Sequence, residues 1–195
     1  MKKKITSLIF FLSIFTNVFA SKDDFLKIGP ADAKVVVKVF SSLTCPHCAD
    51  FHENIFYDLK SEFIDKEILQ FQHHSFPLDL AALNAEKIIR CTSNNQQKFQ
   101  LLGEIYKKQN KWAVGSDISE INKSLVKIGL NNDLKKDVLE KCLKDESIQD
   151  RILTERINAQ KKYKISSTPT IYVNDKKYEG KNDYISFKKY LKKFL

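Results

Sequence analysis

The sequence predicts an α/β protein: a strand–helix–strand unit, then a long helical segment, then a strand hairpin with a covering helix. Three observations carry this prediction. A β-branched run over 34–40 gives way within a few residues to apolar positions spaced by four. From Leu80 to Tyr163 the apolar residues keep a helical period throughout. Strand signals return only at 168–173, close to the end of the chain.

The first twenty residues stand apart from this pattern. Met1-Lys2-Lys3-Lys4 is a basic start, and Ile5 to Ala20 is an uncharged run rich in Leu, Ile and Phe that closes on Val18-Phe19-Ala20. This predicts a cleaved secretory signal over 1–20. The run is short for a spanning helix and contains Thr6, Ser7, Ser13, Thr16 and Asn17, so an uncleaved anchor is the weaker reading. No Cys follows Ala20, so a lipoprotein attachment site is not expected.

Residues 21–33 read as an arm, broken by Gly29-Pro30. The run Val35-Val36-Val37-Lys38-Val39-Phe40 suits a strand buried on both faces. After a loop at 41–44, Phe51, Ile55, Leu59 and Phe63 predict one face of a helix beginning at Pro46, and 68–75 a second strand. That order implies a parallel pair joined by a crossover helix. Five helices are predicted in the next segment. They are marked by Ala81 to Ile89, by Phe99 to Tyr106, by Ile118 to Ile128 with a stop at Gly129, by Leu134 to Cys142, and by Ile148 to Tyr163. The last strand turns at Asn174-Asp175 and pairs back over 176–179. Asp183 caps a final helix with Tyr184, Phe187, Leu191 and Phe194 on one face. That helix is basic and amphipathic, but a strand hairpin needs a covering layer, so packing on the sheet is favoured over membrane binding.

The formal net charge is +9, and removing Lys2, Lys3 and Lys4 with the leader leaves about +6. The excess is lysine spread along helices, without an Arg-rich patch interleaved with aromatics. Nucleic acid is therefore not an expected partner. The four cysteines are Cys45, Cys48, Cys91 and Cys142. A Cys-x-x-Cys pair closes a very small ring and adds little loop-closure entropy, so it suits chemistry better than stapling. Cys91 and Cys142 both fall in the helical segment. In an exported chain they suggest a structural disulfide tying the first of its helices to the fourth, with two buried free thiols as the alternative.

Cys45 sits where strand gives way to helix. Pro46 fits the first helical position, where its missing N–H would be unpaired anyway. Cys45 then faces free amides and the positive end of the helix dipole, and His47 adds a further donor or positive charge. All favour the thiolate, which is the reactive form of cysteine. A dithiol stabilised in this way makes its disulfide a strong oxidant. Cys48, a turn further in, is expected to be more buried and to act as the resolving thiol. The competing reading makes Cys45 and Cys48 half of a zinc site completed by His73-His74. The lack of a second Cys-x-x-Cys weighs against it, and no metal is predicted.

With these residues in view, Val35 through Phe51, including Ser41-Ser42-Leu43-Thr44-Cys45-Pro46-His47-Cys48, resembles the DsbA family of bacterial exported disulfide oxidoreductases. Phe76-Pro77-Leu78-Asp79 resembles the family's entry into a helical insertion, and Thr168-Pro169-Thr170 its cis-proline loop opposite the cysteines. The resemblance implies a thioredoxin fold with a large all-helical insertion. Its parts would be 21–78, an insertion at 79–163, and 164–195. It also implies a cis Pro169, where the residue type alone would favour trans. The backbone of Thr168 would then lie beside Cys45, where an extended substrate can pair with it. A Thr at that place also occurs in isomerase branches. One departure stands out: thioredoxin-like proteins often carry an acid six positions before the first Cys, and here that position is Val39, with Lys38 on the opposite strand face. Proton transfer to Cys48 would then use water or be slow. His52 is expected on the helix surface or in packing.

The function implied is an exported, periplasmic enzyme that introduces disulfides into reduced exported proteins. It would be reoxidised by a membrane partner of the DsbB type and need no bound cofactor. The alternatives are a disulfide isomerase or reductase on the same fold, and a non-catalytic metal-binding or surface protein. Isomerases of the DsbC type carry an N-terminal dimerisation domain, for which 21–33 is too short.

Overall fold

The computed structural model describes residues 25–195, so the predicted signal at 1–20 lies outside the described residues. The described strands are β1 (Leu26–Ile28), β2 (Val35–Ser41), β3 (Leu69–Ser75), β4 (Thr170–Val173) and β5 (Lys176–Lys177), in one sheet of order β1-β3-β2-β4-β5. β2 and β3 are parallel, and the other pairings are antiparallel. The arm expected at 21–33 therefore carries a strand: β1 pairs along β3 with Leu26 opposite His73. Three residues are too few for a period-2 signal, which is why the sequence does not reveal it. At the hairpin, Asn174 takes a left-handed conformation (φ 53°) and its Oδ1 accepts from the Val36 amide at 2.8 Å. Asn tolerates that conformation, and here its side chain ties the turn to the neighbouring strand β2.

The helix α1 spans residues 46–64 and alternates α-type turns with two wider π-type turns, at His52–Phe56 and Lys60–Ile64. This explains the four-residue spacing. In a regular α-helix each step of four overshoots a full turn by about 40°, so a stripe at 51, 55, 59 and 63 would wind away from the sheet. The wider turns hold it straight, and all four side chains are buried. The inserted residues also bring His52 inside, 3 % exposed and stacked on Phe56 with centroids 4.4 Å apart, so it is a packing residue and not a surface one.

Between β3 and β4 lie α2 (Leu80–Ile89), α3 (Asn95–Lys107), α4 (Gln109–Trp112), α5 (Ile118–Leu130), α6 (Lys136–Lys144) and α7 (Glu146–Tyr163); α8 (Tyr184–Leu191) follows the hairpin. The four-residue α4 is additional to the five predicted helices, and α5 runs through Gly129 to Leu130. Gly129 is not a stop because Leu139 of α6 packs where its side chain would be. Among the described residues no helix is long and apolar enough to cross a membrane.

One sheet face (Val35, Val37, Val39, Leu69, Phe71, Ile171, Val173) packs on α1, α8 and the insertion. The other is covered in part by α7, through Phe40, Ala159 and Tyr163. β3 is buried at every residue although Gln70, Gln72, His73, His74 and Ser75 are polar. Buried polar groups need partners. Glu155 of α7 accepts from the Ser75 amide at 2.8 Å and from Arg90 at 2.6 Å, and Arg90 also donates to the Ser75 hydroxyl at 2.9 Å. These bonds fasten the insertion to the end of β3. Cys91, just past α2, and Cys142 on α6 are joined as a disulfide with Cα atoms 5.7 Å apart.

Asp79 caps α2, accepting from the Ala82 amide at 2.7 Å, while its other oxygen accepts from the Thr44 hydroxyl at 2.7 Å. One carboxylate therefore starts the insertion and anchors the loop that leads to Cys45. Asp79→Ala should lower stability by about 1–2 kcal/mol, with a smaller loss for Asp79→Asn. Denaturant unfolding of the three proteins measures both.

Candidate active site

Cys45 leaves the C-terminal end of the central strand β2 and occupies the cap position of α1, in extended conformation (φ −82°, ψ 119°), with Pro46 as the first helical residue. No side chain caps this end. The first amides of α1 are therefore directed toward the sulfur and its own carbonyl, as the motif predicts. Cys45 is half-buried and Cys48 is 1 % exposed; both are free thiols.

The Cys45 thiol is lowered from 9.0 to about 5. The largest cause is the Cys48 thiol donating to the Cys45 sulfur. Burial opposes it, and the Thr168 side chain and the backbone amides of Cys48 and His47 add to the lowering. A shared hydrogen cannot serve both sulfurs. Burial, the hydrogen bond to Cys45 and the adjacent negative charge push Cys48 far above the ordinary thiol range. One sulfur is thus an anion near neutral pH and the other holds its proton.

Of the two contributions expected from His47, a donor or a positive charge, the structure supports the donor. Its imidazole is exposed, with Nδ1 3.8 Å from Asp50, so the donor it brings to the sulfur is its backbone N–H. Thr168 lies across from the pair. Its carbonyl oxygen lies 3.2 Å from Cys45 Sγ, its hydroxyl oxygen is buried without a hydrogen-bond partner, and the Thr168–Pro169 bond is cis. The structure brings Cys45, Pro46, His47, Cys48, Thr168 and Pro169 together, while Cys91 and Cys142 lie apart in the insertion. His73 and His74 do not complete a ligand set with the cysteines: His73 bonds Glu86 at 2.8 Å and His74 bonds Gln72 at 3.1 Å. Among the described residues, no three His, Cys, Asp or Glu side chains are grouped as metal ligands.

Gln109 has no signal in the sequence. From the short α4 its Nε2 donates to the Leu43 carbonyl at 2.7 Å and to the Cys45 carbonyl at 3.1 Å. It satisfies acceptors in the irregular loop and pins the strand-to-helix bend to the insertion. Only the tertiary approach of α4 reveals it.

The family model described as Thioredoxin matches residues 21–193, and the chain belongs to that family. Disulfide bond formation protein D of Bacillus subtilis is 29 % identical over 177 residues, covering 86 % of this chain and 76 % of that one. A Rickettsia bellii protein whose name includes "protein-disulfide oxidoreductase" is 29 % identical over 160 residues, 82 % of this chain. This chain spans about three fifths of that relative's length (61 %). Among solved structures, alpha-DsbA1 of Wolbachia pipientis superposes with a TM-score of 0.81 at 25 % identity, covering 89 % of this chain and 92 % of that one. BdbD of Bacillus subtilis superposes with a TM-score of 0.74 at 25 % identity, over 87 % and 92 %. The fold is thus the thioredoxin fold with a helical insertion, and its structural neighbours include DsbA proteins.

The lowered Cys45 links stability to pH. A thiol whose folded value is depressed stabilises the fold fully above its unfolded value, near 9.0, and loses that contribution as pH falls toward about 5. Cys48 is raised and stays protonated in both states below pH 9, so it adds no slope there. The disulfide form has neither thiol. The stability of the dithiol form relative to the disulfide form should therefore rise with pH between about 5 and 9 and level off below 5. Paired denaturation curves across that range test it.

Proposed function

We propose that this chain is an exported thiol:disulfide oxidoreductase that introduces disulfide bonds into reduced exported proteins, with Cys45 as the attacked sulfur and Cys48 as its resolving partner. The observation that carries the reading is the unequal ionisation of the two sulfurs, with Cys45 lowered to about 5 at a half-exposed helix start. A thiolate held this far down favours the reduced pair, so the oxidised pair accepts electrons readily.

In the first step a substrate thiolate attacks Cys45 of the Cys45–Cys48 disulfide. The Cys45–Cys48 bond breaks, a mixed disulfide forms, and Cys48 leaves as a thiolate and takes up a proton. A second substrate thiolate then attacks its own sulfur in that mixed disulfide. The substrate gains a disulfide, Cys45 departs as the stabilised anion, and two electrons have passed to the enzyme. Thr168 and Pro169 are assigned to substrate binding, the Thr168 backbone pairing with an extended segment beside Cys45. The predicted signal at 1–20 supports a periplasmic location. Reoxidation falls to a membrane disulfide reoxidase of the DsbB type, and the exchange itself requires no bound cofactor. The core is assigned to 21–78 and 164–195, with 79–163 as the insertion. The names of the Bacillus and Rickettsia relatives are consistent with this chemistry.

Isomerase action is the second reading, since a Thr at position 168 leaves the preferred direction open. The redox potential of Cys45–Cys48 against glutathione separates the two, since a value as reducing as that of cytosolic thioredoxin excludes the oxidant role. For the activity itself, the oxidised protein should restore disulfides to a reduced, unfolded exported substrate, and Cys45→Ser should abolish this. Undiminished activity in Cys45→Ser would remove the catalytic reading altogether.

A further inference from the structure

The end of the sheet opposite the two thiols carries a surface that the thiol chemistry does not use. β2 runs from Val35 to Ser41, shortly before Cys45, so its start lies roughly 20 Å from the active site. At that start Val35 pairs with Leu69, and Asn174 of the hairpin bonds the Val36 amide and the Lys34 carbonyl. The loop before β2, the loop into β3 and the β4–β5 turn therefore meet there. Phe194, just past α8, joins them. Its ring lies 5.7 Å from Lys176 Nζ and 5.3 Å from the Tyr190 ring, over which Lys193 stands at 5.4 Å.

Phe194, Pro30, Ala33, Val35 and Ile68 line a hollow of about 310 Å³ here, and Ile68 keeps 41 % of its surface exposed. Around it stand six exposed lysines: Lys34, Lys66, Lys176, Lys189, Lys192 and Lys193. None of the six forms an ion pair among the described residues, because most nearby carboxylates are already engaged. Asp65 pairs with Lys60 at 2.6 Å, Asp175 with Lys38 at 3.3 Å, Glu179 with Lys177 at 3.8 Å, and Glu62 with Lys188. Asp32 and Glu67, on the rim of the hollow, offset two of the six charges. What remains is a net positive rim around an apolar centre. The rim contains no arginine: Arg90, Arg151 and Arg156, the three in the chain, all fall within 79–163.

We propose that this end of the molecule docks on an anionic phospholipid surface, with Ile68 and Phe194 entering the interface and the surrounding lysines on the headgroup phosphates. Peripheral attachment takes an apolar contact and a basic patch together, and both are present here. Lysine is a hydrated point charge on a flexible stem, which suits a diffuse and mobile layer of phosphates; a fixed, bidentate partner favours arginine. The amphipathic character of α8 is thereby divided between two surfaces. Phe187 and Leu191 pack in the core, while the lysines at its end face outward. Docking at this end turns Cys45 away from the lipid, toward soluble substrates. Attachment of this kind is reversible, so the released protein can present Cys45 to a membrane reoxidase. Docking adds a location to the proposed activity and does not depend on the thiol chemistry of Cys45.

Residues 21–195 contain the whole described fold and omit the apolar run at 5–20, so they are the form to test. Vesicles of phosphatidylglycerol and phosphatidylcholine in equal parts should carry this protein down on sedimentation at low salt. Affinity for phosphatidylcholine vesicles alone should be about 100-fold weaker, and about 0.5 M salt should release the protein. The triple variant Lys176→Gln, Lys192→Gln, Lys193→Gln should bind the anionic vesicles about 100-fold more weakly, and Ile68→Ser about fivefold more weakly. The same charge removed from the end of α7, by Lys161→Gln, Lys162→Gln and Lys164→Gln, should change the affinity by less than about threefold. All six of these lysines are exposed, and unchanged thermal unfolding confirms that the triple variants keep the fold. No binding to anionic vesicles, native affinity in Ile68→Ser, or equal losses from the two triple variants would each overturn the docking surface and leave the thiol chemistry untouched. Cys45→Ser should bind vesicles as the native protein does, so loss of disulfide activity and loss of docking are read separately.

Discussion

The site depends on one hydrogen being shared unequally between two sulfurs. Cys48 donates to Cys45, and that bond is the largest influence lowering Cys45 and one of those raising Cys48. The two shifts are a single interaction seen from its two ends. Its direction is set by position. Cys45 is half-exposed at the free amides of a helix start, while Cys48 points into the core, where charge is expensive. Exchanging the two environments would exchange the two chemistries.

Holding that geometry is the work of the insertion as much as of the sheet. The bend from β2 into α1 has no cap of its own. It is anchored instead by Asp79 through Thr44 and by Gln109 through the carbonyls of Leu43 and Cys45. The insertion is in turn fastened to β3 by Arg90 and Glu155. Glu155 is pushed up to about 7 by burial even with Arg90 beside it, so its position reflects the cost of enclosing the end of a polar strand.

Much of this was legible in the residues. The β-branched run over 34–40 and the Cys-Pro-His-Cys motif after it locate the central strand and the helix start, while the loop facing the cysteines follows only from the resemblance carried by Thr168-Pro169-Thr170. What was not legible has physical reasons. β1 is too short to show a period, and α4 is a single turn. The spacing of four in α1 reads as a plain helix, although it is the spacing that wider turns require, and of the two places expected for His52, helix surface or packing, the structure has packing. Of the donor or positive charge expected from His47, the donor is its backbone amide, while its imidazole lies exposed near Asp50. Gln109 is an ordinary helical residue in the sequence. Only the tertiary approach of its short helix to the strand-to-helix bend gives it a part in the site.

The central claim is that Cys45 is an anion at neutral pH because of where the chain places it. Thiolate absorbance near 240 nm, followed against pH in the reduced protein with the disulfide form as blank, measures this directly. One sulfur should ionise with a midpoint of about 5 and the other should remain protonated past neutrality. A single midpoint near 9.0, the ordinary thiol value, would contradict the account.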